Sequence, residues 1–234
     1  MAKRADAVED GIRYAEQVAT RKILAPKLVR IACQRFVNDL ALAESGRGFW
    51  RFDPDRASRP LFLAEGLPNI KGPFAGKDIR LLAWQRWCNV NLFGFVERET
   101  GLRRFRQGSI WVPRRNGKST FLAPMALYCA FAEGEGGADA YAAAVTRDQA
   151  KIVWATAWEM VRRSPGFRKW LGVETSMNSI FQDRTASRFV PISSDSKGPS
   201  GKSRNCGSRR VKTAFGSKSE VCRLLTPARS FAVA

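Results

Sequence analysis

Residues 110–120 read Ile-Trp-Val-Pro-Arg-Arg-Asn-Gly-Lys-Ser-Thr, and the fold is decided here. The apolar start of this stretch is typical of the end of a buried strand, and its last residues open an apolar segment of helical length, 118–132. A strand, a turn, Gly-Lys-Ser and a helix in that order indicate a phosphate-binding loop. In such a loop the helix N-terminus attracts phosphate oxygens, the Lys118 side chain reaches the outer phosphates, and the Ser119 hydroxyl can bind Mg²⁺.

The match to the usual nucleoside triphosphatase pattern lacks one glycine. Val112 stands where that pattern has its first Gly, five positions before Gly117. A Gly-Lys-Ser tripeptide alone is weak evidence, because it occurs by chance. The strand before it and the helix after it favour the phosphate loop over the alternative, a basic loop that caps an ordinary helix.

The order of elements along the chain predicts an α/β fold. Strands and helices alternate from the strand that ends at Val112 onward, which predicts a P-loop core with right-handed crossovers and a parallel sheet. We expect a helical and loop-rich segment over 1–76, a partial P-loop ATPase domain over 77–200, and a basic tail over 201–234 that is non-native or disordered and shows no helix or strand pattern. In detail, the patterns predict helices over 5–20, from Pro26 onward, 77–95, 118–132 and 147–163, and strands over 138–145, 180–181 and 188–192. Residues 46–76 are predicted to be loop-rich, with a short strand or a helical turn at 61–63 left open.

Composition limits the function classes. The 234-residue chain has a net charge of +19, so a polyanion is its natural partner, and nucleic acid is favoured over an anionic membrane. The chain has 5 cysteines without a Cys-x-x-Cys pair and no histidine, which excludes Ser-His and Cys-His catalysis and disfavours a Cys/His zinc site. No signal peptide or membrane span is evident, which predicts a cytoplasmic protein with free thiols.

Residues 112–120 resemble the variant Walker A loop of the large terminase subunit of tailed bacteriophages. In that family the first Gly is commonly absent and a basic residue stands inside the loop. Three other stretches, 82–85 (Leu-Ala-Trp-Gln), 146–150 (Thr-Arg-Asp-Gln-Ala) and 194–198 (Ser-Asp-Ser-Lys-Gly), are similar to the family in order and spacing. The resemblance covers roughly residues 10–201.

The resemblance implies an ATPase that uses ATP and Mg²⁺ to package viral double-stranded DNA in the bacterial host. It implies the small terminase subunit and the portal as further partners, and leaves a homo-oligomer open. It also implies that Arg114 senses the γ-phosphate and that Gln85 contacts adenine, whereas the alternative for Gln85 is a solvated helix residue. The nucleotide-binding set is then Gln85, Arg114, Arg115, Asn116, Gly117, Lys118, Ser119 and Thr120, with Lys118 and Arg114 catalytic and Ser119 the metal ligand.

The chain departs from the family after Gly201. Residues 201–234 hold 8 basic residues and 1 acidic residue, and they lack the family's apolar strand followed by Asp-Glu and its nuclease carboxylates. Our hypothesis is a reading-frame shift near Gly201. It predicts that the chain neither hydrolyses ATP at a motor's rate nor cuts DNA, which leaves its enzymatic status open. The alternatives are a non-catalytic DNA-binding remnant and a fragment of a helicase-like P-loop ATPase.

Overall fold

The computed structural model describes residues 2–113, 115–193, 222–225 and 230–233. The chain divides into two compact units, Met1–Arg106 and Gln107–Ala234. The boundary between them lies after Arg106, whereas the sequence patterns predict a boundary after residue 76. Each unit has its own helices, its own sheet and its own core.

The first unit is mainly helical. Its elements are α1 (Ala2–Ala19), α2 (Lys27–Glu44), β1 (Trp50–Phe52), α3 (Pro54–Glu65), α4 (Ala83–Gly94) and β2 (Phe95–Glu97). Strands β1 and β2 pair antiparallel, and α1 packs against α2, α3 and α4. Phe95 lies at the centre of the core, fully buried, with the rings of Phe36, Phe52 and Phe105 in edge contact. The predicted helices over 5–20 and from Pro26 onward are confirmed.

Two helix predictions in this unit need correction. The prolines of 46–76 predict a loop-rich region with at most a short strand or helical turn at 61–63, but the whole of Pro54–Glu65 forms α3. Pro54 occupies the first helical position, where its missing N–H costs nothing, and the Asp53 carboxylate accepts a hydrogen bond from the Arg56 N–H at 3.1 Å. The helix predicted over 77–95 is shorter, because α4 begins only at Ala83.

The second unit is a mixed sheet with helices. Its elements are β3 (Gln107–Ile110), α5 (Lys118–Leu127), a π-helical turn (Tyr128–Ala132), β4 (Asp139–Ala144), α6 (Arg147–Arg162), α7 (Pro165–Leu171), β5 (Glu174–Thr175), β6 (Ile180–Gln182), β7 (Ser187–Ser193), β8 (Cys222–Leu225) and β9 (Ser230–Val233). The strand order is β3-β8-β9-β4-β7-β6-β5, in a sheet of 7 strands.

This sheet is mixed, which corrects the prediction of a parallel sheet. Strands β9, β4 and β7 are parallel, as predicted for β4, while the pairs β3–β8, β8–β9, β7–β6 and β6–β5 are antiparallel. The reason is connection length: β5, β6 and β7 follow one another through short turns, and short turns join only antiparallel strands. Strands β8 and β9 lie within 201–234, where the sequence shows no strand pattern. Residues 201–221 and 226–229 lie outside the described residues.

Helices α5 and α6 pack on each other, and α6 also packs on β4 and β7. Residues 121–127 of α5 are all buried, which fixes the helix in the unit. The helix predicted over 118–132 keeps α-helical geometry only to Leu127 and continues as the π-helical turn. Pro124 lies inside α5, where it cannot donate a backbone hydrogen bond.

Candidate phosphate-binding site

The turn between β3 and α5 carries the candidate site. After Ile110 the chain leaves the edge strand, turns through Arg115 and Asn116, and enters α5 at Lys118. The Asn116 side-chain amide donates to the Pro113 carbonyl at 3.4 Å, and the Phe121 N–H donates to the Gly117 carbonyl at 2.9 Å. These bonds connect the turn both to the strand side and to the first turn of the helix.

Two backbone conformations in this turn are unusual. Arg115 has φ 67° and Gly117 has φ 70°, while Asn116 between them has a negative φ. Alternation of this kind turns successive N–H groups toward one side, as in the anion-binding concavities called nests. For a non-glycine residue a left-handed conformation costs about 1–2 kcal/mol. Arg115 therefore holds strain, and such strain is concentrated at functional sites.

Gly117 is required for its conformation rather than for lack of space. A Cβ at this position would meet no heavy atom within 4 Å. Arg115, Asn116 and Gly117 are exposed, and Lys118, Ser119 and Thr120 are partly exposed. The turn and the first turn of α5 are therefore open to a ligand.

The N-terminus of α5 favours an anion. The first N–H groups of a helix have no acceptor within it and carry a partial positive charge. Gly117 supplies no side-chain cap, and the first turn contains no acidic residue but does contain Lys118. The first turn of α5 therefore adds positive charge to this end of the helix.

Two predicted site residues, Arg114 and Gln85, are not part of the described turn. Arg114 lies outside the described residues. Gln85 belongs to the first unit, where it is 9% exposed. Its side-chain oxygen accepts a hydrogen bond from the Leu82 N–H at 2.9 Å and so caps α4. The positive φ of Arg115 is the feature that sequence reasoning missed, because arginine has no preference for this conformation.

Metal-binding clusters, reactive thiols and membrane-spanning helices were the other features considered from the sequence. Among the described residues, no group of three or more His, Cys, Asp or Glu side chains could hold a metal ion. Cys33, Cys88 and Cys129 are free thiols, as predicted. Burial raises the pKa of Cys33 to about 12, and burial together with the nearby Cys33 raises the pKa of Cys88 to about 12, so both thiols stay protonated and unreactive. None of the described helices is long and apolar enough to span a bilayer.

Comparison with known proteins decides the family. Residues 83–206 match the model of the ATPase domain of the terminase large subunit, which is more than half of the chain. The chain belongs to the large terminase subunit family. The resemblance seen in the sequence is therefore confirmed, and the candidate loop lies within the matched ATPase domain.

One solved structure can be compared with this terminase chain. The crystal structure of the HK97 bacteriophage large terminase is 19% identical, with a TM-score of 0.49, over 62% of this chain and 29% of that one. The aligned part therefore spans less than a third of that terminase. The comparison with curated proteins finds no match.

Proposed function

We propose that this terminase chain binds ATP·Mg²⁺ at residues 113–120 and contributes to ATP-driven packaging of viral DNA. The observation that carries the proposal is the N-terminus of α5, an exposed turn with positive φ at Arg115 and Gly117 that leads directly into Lys118 and Ser119. Terminase ATPase domains use nucleotide, generally with Mg²⁺, which agrees with this chemistry.

Each residue of the loop has a proposed role. The backbone N–H groups from Arg115 to Thr120 bind phosphate oxygens, and the Lys118 ammonium binds the outer phosphates. The Ser119 hydroxyl holds Mg²⁺, which neutralises charge on the phosphates. Because no acidic metal cluster occurs among the described residues, we expect Mg²⁺ to bind together with the nucleotide rather than alone. For Arg114, the role of γ-phosphate sensor follows from the family resemblance.

The family suggests the partners. Large terminase subunits generally act with DNA, a small terminase subunit and the portal. The net charge of +19 supports DNA as a partner, because binding to phosphates releases counterions from the duplex. We propose these partners and a homo-oligomer for this chain on the same grounds.

The test of the site is the removal of one charge. Lys118→Ala should weaken binding of a fluorescent ATP analogue by about 10–100-fold, since a hydrogen bond to a charged group contributes about 1.5–3 kcal/mol. Lys169→Ala is the matched control, because Lys169 is exposed in the same unit and lies on α7. Equal loss in both variants, or none in Lys118→Ala, would disprove the assignment.

The proposed adenine contact of Gln85 can be separated from its role as a helix cap. Gln85→Glu keeps an oxygen that accepts from the Leu82 N–H but loses the amide donor, whereas Gln85→Ala loses both. If Gln85 contacts adenine, Gln85→Glu should reduce the preference for ATP over GTP by about 2–10-fold. Thermal unfolding of both variants measures separately the cost of a charge or a gap at this buried position. An unchanged preference would leave Gln85 as a cap only.

A further inference from the structure

An exposed loop in the first unit is held in one conformation by hydrogen bonds between its own residues. Residues 68–78, here called the Phe74 loop, read Pro-Asn-Ile-Lys-Gly-Pro-Phe-Ala-Gly-Lys-Asp. Pro68 and Asp78 form an antiparallel bridge, and on either side of it Leu67 and Ile79 are buried in the core. The Phe74 loop therefore starts and ends on the rigid part of the unit.

Hydrogen bonds close the Phe74 loop along its length. The Asn69 N–H donates to the Lys77 carbonyl at 2.8 Å, and the Gly76 N–H donates to the Asn69 carbonyl at 2.8 Å. The Asn69 side-chain amide donates to the carbonyls of Lys77 and Asp78 at 3.1 and 3.2 Å. Gly72 and Gly76 have φ of 80° and 84°, which only glycine adopts without strain. This loop has therefore lost much of its conformational entropy before any partner binds.

The tip of the Phe74 loop carries one aromatic residue, Phe74, which lies between Lys71 and Lys77 in the sequence. Every residue from Lys71 to Asp78 is exposed, and the Phe74 side chain is 64% exposed. Within the described residues, none of the ion pairs involves Lys71 or Lys77. The other residues from 72 to 76 are glycine, proline and alanine, whose side chains are absent or small, and the exposed carboxylate of Asp78 follows Lys77.

These features suit DNA better than a protein. The tip offers two lysines and a single ring of about 150–250 Å², whereas the core of a protein interface is apolar and depleted of charge. Lysines bind phosphates as point charges without reading sequence, and apolar wedges such as Phe enter grooves between base steps. A packaging motor must hold DNA of any sequence, and this chemistry does not select bases.

We propose that the Phe74 loop is a contact site for double-stranded DNA, in which Lys71 and Lys77 bind backbone phosphates and Phe74 packs into the groove between them. The proposal rests on the proposed function only in taking DNA as the partner. It assigns a site to that partner in the first unit, outside the phosphate loop.

The salt dependence of DNA binding separates the phosphate contacts of Lys71 and Lys77 from the packing of Phe74 in the groove. With the full chain and a fluorescent duplex of mixed sequence, Phe74→Ala should weaken binding at least about fivefold, because burial of the ring in the groove contributes about 1 kcal/mol or more, and should leave the salt slope unchanged. The double variant Lys71→Ala/Lys77→Ala should reduce the slope of log K against log salt by about 1.8, since each phosphate contact contributes about 0.9.

Matched controls come from the same unit. Phe49→Ala removes an exposed ring outside the loop, where the side chain is 84% exposed, and Lys22→Ala/Lys27→Ala removes two exposed lysines. Both should change binding less than the loop variants do. If the loop variants change affinity and slope no more than these controls, the loop assignment is wrong while the DNA-binding function stands. If the unaltered chain does not bind duplex DNA, the DNA part of the proposed function fails as well.

Discussion

The second unit contains two strand-to-helix turns that differ at the helix N-terminus. Helix α6 begins after β4 with Thr146, whose hydroxyl accepts from the Gln149 N–H at 3.4 Å, and carries Asp148 in its first turn. Helix α5 begins after β3 with Gly117, has no side-chain cap, and carries Lys118 instead of an acid. Within its first turn, α6 has an acceptor and a negative charge, whereas α5 has neither and carries a lysine.

This difference indicates which turn is built for a ligand. A helix N-terminus needs acceptors for its N–H groups, and these come from side chains, water or a bound anion. At α6 the sequence supplies an acceptor and a negative charge. At α5 it supplies neither, and Arg115 holds a strained conformation as well. We therefore expect an external anion at α5 and none at α6.

The largest loss of ATP affinity should follow when an acidic residue is placed in the first turn of α5, as in α6. Ser119 is the second residue of α5, as Asp148 is of α6. Ser119→Asp should weaken ATP binding by about 100-fold or more, because like charges about 4 Å apart repel by about 4 kcal/mol at an intermediate dielectric. The same charge should stabilise the helix itself by about 0.3–1 kcal/mol. Equilibrium titration and thermal unfolding measure the two opposed changes.

Ser119→Asn is the control for the charge. It removes the hydroxyl and adds a side chain of similar size to aspartate without the charge. We expect it to weaken binding less than Ser119→Asp does. Equal losses in the two variants would mean that the charge at the N-terminus of α5 is unimportant, and the comparison with α6 would lose its electrostatic basis.

The sequence predicted most helices, but not the shape of the sheet. The phosphate loop stays a prediction, which the sequence can make because the roles proposed for Gly117, Lys118 and Ser119 depend on residue type and on adjacent positions. The antiparallel pairs at both sides of the sheet depend on which strands meet, and the short strands β5, β8 and β9 carry too few residues for a periodic pattern. The sequence leaves at most a helical turn open at 61–63 within α3, because a proline at the first position of a helix cannot be told from one in a loop by pattern alone.

The next largest loss of ATP affinity should come from a change in the backbone conformation of the turn at Gly117. Gly117→Ala should weaken ATP binding by about 5–30-fold, since alanine at this positive φ costs about 1–2 kcal/mol and shifts the N–H groups of the turn. Gly136→Ala is the matched control, because this glycine has open space and a φ outside the left-handed region. The titration with the fluorescent ATP analogue measures both variants. Similar affinities for the two would contradict the role of the Gly117 backbone.

The smallest effect concerns the N-terminus that the protein caps for itself. Thr146→Ala removes the acceptor of the Gln149 N–H and should destabilise α6 by about 0.5–1 kcal/mol, at the low end of cap losses because the bond is long at 3.4 Å. Amide hydrogen exchange over Arg147–Arg162 measures this loss locally, and Thr146→Ser should restore protection because serine keeps the hydroxyl. ATP affinity should change by no more than about twofold, because Thr146 makes no proposed contact with the nucleotide. A twofold change corresponds to about 0.4 kcal/mol, which is less than the contribution of a typical hydrogen bond. If Thr146→Ala instead weakened ATP binding as much as Gly117→Ala does, both N-termini would serve the nucleotide, and the division between a self-capped helix and a ligand-capped helix would be wrong.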